Sequence, residues 1–585
     1  MAKRATRGRA ARSNAHAPDV PARGRGRRTA RSGNASWGAA AKPRPGRGVA
    51  VSRRGTADAV ALALYQGFFA SVAEEMGATL MRTAHSPNIK ERLDHSCAVF
   101  DARARLVAQA AHIPVHLGSM PQAVEAALAV GPFAPGDVVI LNDPFAGGTH
   151  LPDVTLVSPV FTRRGAGPAF FVASRAHHAD IGGAAPGSMP IAREVYEEGL
   201  RLPPVFLARA GCVQDDVMRL ILANVRTPDE RRADLAAQIG AQRTGEARLE
   251  ALARRLGARA LERAAGAVMG HAERCVRAAL RELPRGTWRF EDMLDDDGLG
   301  TEGITIRVAV TIGAGRCVVD FAGTDRQVPG PVNAVEAVAR AASYYAVRCV
   351  LGGEFPVNDG AFRPIEVRAP LGSVVNARPP AAVSAGNVEC SQRIVDAVLG
   401  ALAQAAPERV PAASSGTMNN LLIGGVDPRT GAPFAYYETL GGGHGAGPSW
   451  NGEHAMQAHM TNTRNTPIEA LEHADPLRVV RTRIRRGSGG AGRHTGGDGI
   501  ERTIELLAPA RVTLMTERRA LGPYGLEGGE RGAAGANVVE RPGVAPEPLP
   551  GKVLVDLPAG SVLTIASPGG GGYGSEVRAR RRKRR

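Results

Sequence analysis

The sequence has few features of a secreted or membrane protein. Its six cysteines form no CxxC pair and no zinc-ribbon spacing, so we expect neither a disulfide framework nor a thiolate metal site. No uninterrupted apolar run reaches the roughly 18–20 residues needed to cross a bilayer. The basic N-terminus is not followed by an apolar segment, so we expect no secretory signal. Together these absences predict a cytoplasmic protein that does not enter the membrane.

Motifs for nucleotides and for a serine nucleophile are also missing. The three glycine-rich segments, GGGHGAG (441–447), GSGGAGRHTGGDG (487–499) and PGGGGYG (568–574), contain no GxxxxGK[ST] loop. None of them clearly follows a strand and opens a helix, as a dinucleotide-binding turn does. A GxSxG turn is absent, and no repeat recurs with a period of about 20–50 residues. We therefore do not expect the chain to bind a nucleotide by itself.

The net charge of +17 is concentrated at the two ends of the chain. Residues 1–55 hold 15 Lys and Arg and one acid, and RARRRKRR (578–585) adds seven basic residues. The intervening residues carry 51 basic and 55 acidic side chains, a net charge of −4. Such basic runs are usually disordered and solvated. We therefore predict a disordered Arg-rich leader (1–55) and a basic tail (576–585), and nucleic acid is not an expected partner.

The 585 residues are too many for one core, and about two to four domains are expected. Helical periodicity predicts helices at 56–84, 119–130, 334–352 and 390–406, and Ser119 is the predicted N-cap of the second of these. Two or three further amphipathic helices are predicted between Gln214 and Leu283. Strand-like runs occur in 96–118, broken by a turn at Asp101–Arg103, and between residues 136 and 180.

The pattern of the sequence changes after Arg285 from helical periodicity to strand-like alternation, and antiparallel strands with glycine turns are predicted there. The last third is rich in glycine and poor in strand patterns, with β character near 501–517 and 550–566. The pattern predicts a multi-domain α+β protein with mixed sheets and flanking helices. We place a metal-site domain at 56–290 and a second α+β part at 291–575.

Acidic and imidazole side chains gather where the strand-like runs of the first domain end. They are Asp94 and His95 in ERLDHS, His112 and His116 in HIPVH, His150 and Asp153 in THLPD, and His177, His178 and Asp180 in HHAD. Neighbouring strand ends can bring such donors within the roughly 2.0–2.2 Å of metal–nitrogen and metal–oxygen bonds. Imidazole and carboxylate without thiolate suit Zn²⁺, Mn²⁺ or Fe²⁺. The sequence therefore predicts a metal site at the rim of a sheet.

Turn chemistry is the alternative explanation for these residues. Asn and Asp bond their own backbone in turns, and a single His is more often a hydrogen-bonded turn residue than a ligand. His150 and Asp153 are three residues apart, yet Gly147, Gly148 and Pro152 exclude a helix. A regular strand would point the two side chains to opposite faces. Their convergence on one ion therefore requires a turn at Pro152.

Several segments are long enough to be distinctive. They include MGATLMRTAHSPNIKERLDHSCAVFD (76–101), GDVVILNDPFAGGTHLPDVTLVSPVF (136–161), HHADIGGAAPGSMP (177–190), SAGNVECSQRIVDAVLGAL (384–402) and PGGGGYG. Together they resemble the hydantoinase B family. That family includes the B-type chain of N-methylhydantoinase, the matching half of 5-oxoprolinase and the alpha subunit of acetone carboxylase. The resemblance runs from about residue 57 to residue 574.

The resemblance implies a division of labour between two kinds of subunit. A larger A-type partner, an ATPase of the actin-like class, would use ATP and Mg²⁺ to phosphorylate the substrate, a cyclic amide. The B-type chain would hydrolyse the activated ring at a divalent metal, which lowers the pKa of bound water from 15.7 towards about 7. This agrees with the missing phosphate loop, and it implies a hetero-oligomer.

The resemblance also implies the site residues. The family's metal ligands lie in RxD, in THLPD and at the first His of HHAD, which correspond here to Asp94, His150, Asp153 and His177. His178 could replace His177 as the ligand, or His178 and Asp180 could serve as acid/base groups.

Three functions remain open from the sequence. The first is a B-type component of an ATP-dependent hydrolase for hydantoin-like or 5-oxoproline-like cyclic amides. The second is an alpha-type component of an ATP-dependent carboxylase acting on a ketone, which would have to consume bicarbonate. The third, from a different class, is a metal-binding scaffold without catalysis.

Overall fold

The computed structural model describes residues 53–110, 113–116 and 118–575. The predicted leader and basic tail lie outside these residues, except that residues 53–55 already belong to the first helix. The described residues from Ala57 onward form one compact unit. No helix in this described part of the chain is both long and apolar enough to span a membrane.

Eleven α-helices lie within the described residues. They are α1 (Arg53–Thr83), α2 (Pro87–Lys90), α3 (Met120–Leu128), α4 (Val195–Glu198), α5 (Asp215–Ala223), α6 (Pro228–Leu256), α7 (Ala258–Glu282), α8 (Glu336–Leu351), α9 (Asp359–Phe362), α10 (Ser391–Ala405) and α11 (Ile468–Ala474). A single π-helical turn, Gly386–Cys390, leads into α10. Short 3-10 turns include Pro114–His116 and Pro407–Arg409.

Twenty strands lie within the same residues. They are β1 (His95–Asp101), β2 (Leu106–Gln109), β3 (Val138–Leu141), β4 (Asp153–Val160), β5 (Phe170–His177), β6 (Val205–Arg209), β7 (Cys212–Val213), β8 (Gly286–Asp296), β9 (Glu302–Gly313), β10 (Arg316–Asp320), β11 (Ile365–Arg368), β12 (Asn420–Val426), β13 (Pro433–Glu438), β14 (Leu477–Arg485), β15 (Gly499–Leu506), β16 (Ala510–Met515), β17 (Ala536–Glu540), β18 (Glu547–Leu549), β19 (Lys552–Leu557) and β20 (Val562–Ala566).

The largest sheet is antiparallel and has the strand order β2-β1-β5-β4-β3-β6-β7. Successive side chains of a strand point to opposite faces, and both faces of this sheet are covered. On β1, Val99 packs into a core formed with α1, α6 and α7, whereas Phe100 packs into the main core on the other side. This explains why the central strands have continuous apolar runs rather than an alternating pattern.

Three further sheets complete the described fold. Their strand orders are β11-β10-β9-β8, β13-β12-β16-β19 and β14-β15-β20-β17-β18. The only parallel pairing among the described strands is β10 with β11. The predicted α+β class with mixed sheets and flanking helices is confirmed.

The main core extends across the predicted boundary near residue 290. It contains side chains from Ala98 in β1 to Met515 in β16, and helix α10, in which every residue except Gln404 is buried, contributes Ile394 and Val398. The predicted change from helical to strand-like sequence does coincide with the end of α7 and the start of β8. The division into domains at 290 stays a prediction.

Most predicted elements are confirmed, with one qualification and one correction. The helix predicted at 119–130 is α3, and Ser119 is its N-cap residue. The Ser119 side chain makes no capping hydrogen bond, however, because its hydroxyl donates to Val115 O and accepts from Arg175 Nη1. The last third is not poor in strands, since β12 to β20 all lie there. Their glycine content and short lengths concealed their periodicity.

The three glycine-rich segments pack against one another through their backbones. Gly570 N donates to Gly497 O, and Ala446 N donates to Gly571 O, at 2.9 Å each. A Cβ atom on Gly445 would lie 1.7 Å from Ala412 O, so no other residue fits there. Close backbone packing therefore accounts for the glycines of these segments.

Candidate metal centre

A tight turn joins His150 to Asp153 at the start of β4. Asp153 N donates to His150 O at 3.2 Å, and the residues between them, Leu151 and Pro152, form the turn. Just before it, a Cβ atom on Gly148 would lie 2.5 Å from Asn142 O. The turn places His150 Nε2 3.4 Å from Asp153 Oδ2. The convergence that the sequence required at Pro152 is therefore present.

The fully buried carboxylate of Asp153 is the centre of the cluster. Its Oδ2 lies 3.3 Å from His116 Nε2 and 3.4 Å from His150 Nε2. The same oxygen accepts from Thr149 Oγ1 at 2.8 Å and from Asn387 Nδ2 at 3.0 Å. One side chain thus joins the THLPD turn, the 3-10 turn Pro114–His116 and the π-helical turn.

His177 and Asp94 reach the same place through the pairing of strands. Asp153 lies opposite His177 in the β4–β5 register, and His177 N donates to Asp94 O at 3.0 Å. The imidazole of His177 has its centroid 5.0 Å from that of His150. It also stacks on Tyr437, with centroids 4.6 Å apart and planes 17° from parallel. The turn and the strand pairing therefore bring His150, Asp153 and His177 close together, with the backbone of Asp94 beside His177.

Arg92 contacts both the backbone and the ring of Tyr437. Its Nη1 donates to Tyr437 O at 2.8 Å and to Asn88 Oδ1 at 3.1 Å, and its Cζ lies 4.5 Å from the centre of the tyrosine ring. A cation over an aromatic face is attracted by the ring quadrupole. Tyr437 thus contacts both the Arg92 guanidinium and the His177 imidazole.

His150 is oriented by a loop from the second half of the chain. Its Nδ1 donates to Ser384 O at 3.1 Å, so the neutral ring carries its lone pair on Nε2. The buried carboxylate of Glu198 holds that loop by accepting from Val383 N at 2.7 Å and Ser384 N at 2.8 Å. Burial raises the pKa of Glu198 to about 7, although these backbone donors oppose the rise.

Burial and mutual charge shift the pKa values of all four predicted ligands. Burial alone would raise the pKa of Asp153, but the imidazoles of His150 and His116 hold it well below its usual range. Burial opposes ionisation of His150, yet Asp153 raises its pKa. Burial and His150 lower the pKa of His177, and burial raises that of Asp94. Perturbation of this kind clusters at functional sites.

The donors fit a divalent metal by their chemistry. Four buried nitrogen and oxygen atoms of the cluster, which could each donate a lone pair to a metal, have no hydrogen-bond partner among the described residues. They are His150 Nε2, Asp153 Oδ1 and both ring nitrogens of His177. Unsatisfied buried polar atoms are rare because each costs about 1–3 kcal/mol. Nitrogen and carboxylate oxygen are the donors that Zn²⁺, Mn²⁺ and Fe²⁺ accept. In the side-chain arrangement shown, however, no three His, Cys, Asp or Glu residues of the described chain meet the distances of a metal site.

His178 and Asp180 lie away from this cluster. His178 follows His177 and turns to the other side, where its Nε2 donates to Gln238 Oε1 of α6 at 3.0 Å. Burial lowers its pKa to about 4. Asp180 pairs with Arg226 Nη1 at 2.8 Å and accepts from Gly182 N at 3.0 Å. The acid/base roles of these two residues stay predictions.

The structure adds four residues to the site that the sequence pattern did not assign. His116 is one of the predicted rim residues and has no predicted role, and Asn387, Tyr437 and Glu198 are not among the predicted site residues. The segments HIPVH and SAGNVE carried the available signal for His116 and Asn387, because each places a polar side chain beside an apolar run. His112, the other imidazole of HIPVH, lies outside the described residues.

A model of the hydantoinase B/oxoprolinase family matches residues 58–576. The chain belongs to this family. It is 40% identical over 550 residues to 5-oxoprolinase 1 of Arabidopsis thaliana, covering 89% of this chain and 42% of that protein. The chain thus spans about two fifths of the length of that relative. It is 29% identical to a putative D-/L-hydantoinase subunit of Pseudomonas sp. (strain NS671), covering 89% of this chain and 90% of that one.

Two solved structures share the architecture of this family member. The ATP-dependent caprolactamase from Pseudomonas jessenii superposes with a TM-score of 0.83 at 31% identity, covering 88% of this chain and 91% of that chain. Nucleotide-free acetone carboxylase superposes with a TM-score of 0.82 at 18% identity, covering 88% and 76%. At this low identity, the similarity to acetone carboxylase shows only that the two proteins share a fold.

Proposed function

We propose that this chain is the B-type component of an ATP-dependent cyclic-amide hydrolase and that it opens a ring activated by a separate A-type ATPase. The observation that carries the proposal is the buried cluster of Asp94, His150, Asp153 and His177 with its unsatisfied donor atoms. The names of the 5-oxoprolinase and caprolactamase relatives support the cyclic-amide substrate. The hydantoinase relative is named as a subunit, which supports a partnered chain.

The four residues of that cluster would hold one divalent ion. Such an ion, when bound, supplies a nucleophile near neutral pH by lowering the pKa of water. An unstrained amide is slow to hydrolyse because its nitrogen donates into the carbonyl, and phosphorylation of the carbonyl oxygen converts that oxygen into part of a good leaving group. The two requirements, activation and hydrolysis, thus fall on different subunits.

The chain's own residues orient these donors. Thr149 and Asn387 both donate to Asp153 Oδ2, which fixes the carboxylate and leaves Oδ1 without a partner in the described chain. Ser384 O holds the proton of His150 on Nδ1, so Nε2 is the donor atom offered. The Tyr437 ring restrains His177 by stacking. Partners of this type usually change metal affinity or activity by about 10–100-fold when removed.

Hydrolysis is favoured over ketone carboxylation. The caprolactamase matches at 31% identity, whereas acetone carboxylase matches at 18%, which supports only a common fold. The two reactions differ in one requirement, because a carboxylase consumes bicarbonate and a hydrolase does not.

The test is reconstitution with an A-type subunit. We expect ATP-dependent ring opening of 5-oxoproline, hydantoin or caprolactam, with ADP as product and no dependence on bicarbonate. We expect no ATP hydrolysis by this chain alone. Strong ATPase activity of the pure chain, or an absolute need for bicarbonate, would refute the proposal.

A substitution within the cluster tests the metal. His150→Ala should lose most of the bound metal and nearly all activity while the fold survives. His454→Ala is the matched control, because His454 is 44% exposed and pairs with Asp498, outside the cluster. Elemental analysis and turnover are measured for both variants. Wild-type metal and turnover in His150→Ala would mean that His150 is only a turn residue.

A further inference from the structure

The imidazole of His177 is held by ring stacking rather than by hydrogen bonds. Neither of its ring nitrogens has a hydrogen-bond partner among the described residues. Its ring lies within 17° of parallel to that of Tyr437, with the centroids 4.6 Å apart, and it meets the His150 ring at an angle of 65°. Aromatic pairs of this kind prefer particular relative geometries. The position of the His177 ring therefore depends on what holds Tyr437.

Tyr437 is held at its hydroxyl by Asn420, the first residue of β12. Tyr437 lies opposite Leu422 in the pairing of β12 with β13, so Asn420 is its diagonal neighbour on the same face of the sheet. Tyr437 Oη donates to Asn420 Oδ1 at 2.9 Å, and both side chains are buried. The hydroxyl end of the ring is thus fixed by a side chain of the neighbouring strand.

The side-chain amide of Asn420 has one orientation that satisfies its neighbours. Its Nδ2 donates to Glu389 Oε1 at 2.7 Å and to Met515 O at 2.8 Å. Both partners accept, so the amide nitrogen faces them with its two hydrogens and Oδ1 faces the tyrosine hydroxyl. Glu389 therefore sets the direction in which Asn420 accepts. We call Glu389, Asn420 and Tyr437 the anchor chain.

Glu389 belongs to the π-helical turn Gly386–Cys390, which also carries Asn387. Asn387 Nδ2 donates to Asp153 Oδ2 at 3.0 Å, whereas Glu389 Oε1 accepts from Asn420 Nδ2 at 2.7 Å. Single π-helical turns are rare and occur frequently at functional sites. One turn thus supplies a hydrogen bond to one predicted ligand and the start of the anchor chain that leads to another.

Close backbone packing fixes the position of this turn. A Cβ atom on Gly386 would lie 1.9 Å from Asn333 O, so the two segments are in direct contact. Ala385 N donates to Pro331 O at 2.9 Å just before the turn. Every residue of the turn is buried. The side chains that leave the turn therefore start from a fixed backbone.

We infer that Glu389 positions the His177 imidazole through the anchor chain. Glu389 and Asn420 are positioning residues in this assignment, because they act on His177 only through Tyr437. The inference rests on the proposed function and adds the device that orients one of its predicted metal ligands. Removing the carboxylate of Glu389 should displace the His177 ring, and it should do so only while the Tyr437 hydroxyl is present.

The His177 ring itself provides the measurement, in metal-free protein of full length. Histidine labelled with ¹³C at ring Cε1 is incorporated, and the His177 resonance is assigned by its loss in His177→Gln. The ring current of Tyr437 shifts this resonance, so its position reports the stacking. We expect Glu389→Ala to move it. Glu389→Gln keeps an acceptor oxygen and should restore the wild-type position.

A double-mutant cycle tests whether Glu389 acts through the tyrosine. Tyr437→Phe keeps the ring and removes only the hydroxyl that donates to Asn420. Tyr437→Phe should move the His177 resonance, and Glu389→Ala should add no further shift in its presence. The Kd for Zn²⁺, measured by competition with a chelator, should rise about 10–100-fold in each single variant. It should rise by no more than about twofold further in the double variant.

Glu198 is the matched control for Glu389. Both side chains are buried, and burial raises the pKa of each carboxyl to about 7. Glu198 holds the loop at Ser384, which contacts His150, and it is not part of the anchor chain. Glu198→Ala should therefore shift the His150 resonance more than the His177 resonance, and Glu389→Ala should do the reverse. Thermal melting checks that each variant is folded, and Glu389→Leu, which fills the space, replaces Glu389→Ala if the latter does not fold.

Three results overturn the inference. They are an unmoved His177 resonance in Tyr437→Phe, additive shifts in the double variant, and equal shifts of both imidazoles in the Glu198 and Glu389 variants, which would mean general loosening. The resonance is measured without ATP, metal or a partner subunit. A failure here therefore leaves the reconstitution test of the hydrolase unaffected, and absence of hydrolysis does not alter the position of the resonance.

Discussion

Replacing His177 and His178 one at a time should give opposite stability patterns. Both ring nitrogens of His177 are buried without a hydrogen-bond partner in the described chain. Removing them relieves about 1–3 kcal/mol per unsatisfied group, while losing the stacking on Tyr437 costs about 0.5–1.5 kcal/mol beyond the lost buried area. The cavity left by the buried ring costs about 2–5 kcal/mol more. In metal-free protein the relief at the two nitrogens and these two losses are of similar size, so His177→Ala should change the free energy of unfolding by no more than about 2 kcal/mol.

Added metal should separate the two variants. A ligand that binds only the folded state at 100 times its Kd stabilises that state by about 2.7 kcal/mol. The wild type should gain this amount, and His177→Ala should gain almost nothing. His178→Ala removes the donor to Gln238 Oε1, so it should lose about 1–3 kcal/mol with or without metal. It should nevertheless keep the full gain on metal addition.

The assay is urea unfolding of chelator-treated protein, with Zn²⁺, Mn²⁺ or Fe²⁺ added in turn. The metal-dependent gain in unfolding free energy is compared among the wild type and the two variants. If His177→Ala keeps the gain and His178→Ala loses it, the assignment is reversed and His178 is the ligand. If both variants keep the gain, neither imidazole holds the ion.

Two other predictions concern stability. Gly445→Ala should destabilise the chain by more than about 3 kcal/mol, because its Cβ would lie 1.7 Å from a backbone oxygen. The control is Gly266→Ala on the exposed side of α7, where a Cβ meets nothing within 4 Å, and this change should stabilise the chain by about 0.5–1 kcal/mol. Equal effects of the two substitutions in thermal unfolding would contradict the packing argument. Burial, with Glu230 nearby, raises the pKa of Asp475 to about 7 from 3.8. The folded state therefore binds more protons than the unfolded state between about pH 4 and 7, so stability falls as pH rises through that window. Asp475→Asn should reduce this fall in urea unfolding across about pH 4–8, and an unchanged profile would exclude Asp475 as a cause.

Local patterns were sufficient for most of the secondary structure. The helices α1, α3, α8 and α10 and the strands β1 to β5 follow from apolar periodicity and turn residues, which act over a few neighbouring positions. The short strands of the last third were underestimated because glycine interrupts the alternation of side chains by which a strand is recognised. The glycines themselves are required by backbone-to-backbone contacts between segments distant in sequence, as at Gly445.

The sequence by itself determined where donor side chains occur, that the positive charge lies at the ends, and that His150 and Asp153 could meet only through a turn. Only the tertiary structure decided which imidazole faces which side. His177, the last residue of β5, lies against His150 and Tyr437, whereas the next residue, His178, donates to Gln238 of α6. It also brought Asn387 to Asp153 across 234 positions of the chain. Such contacts depend on the packing of whole sheets and helices. The sequence pattern around Asn387 or Asp153 therefore gives no indication that the two residues meet.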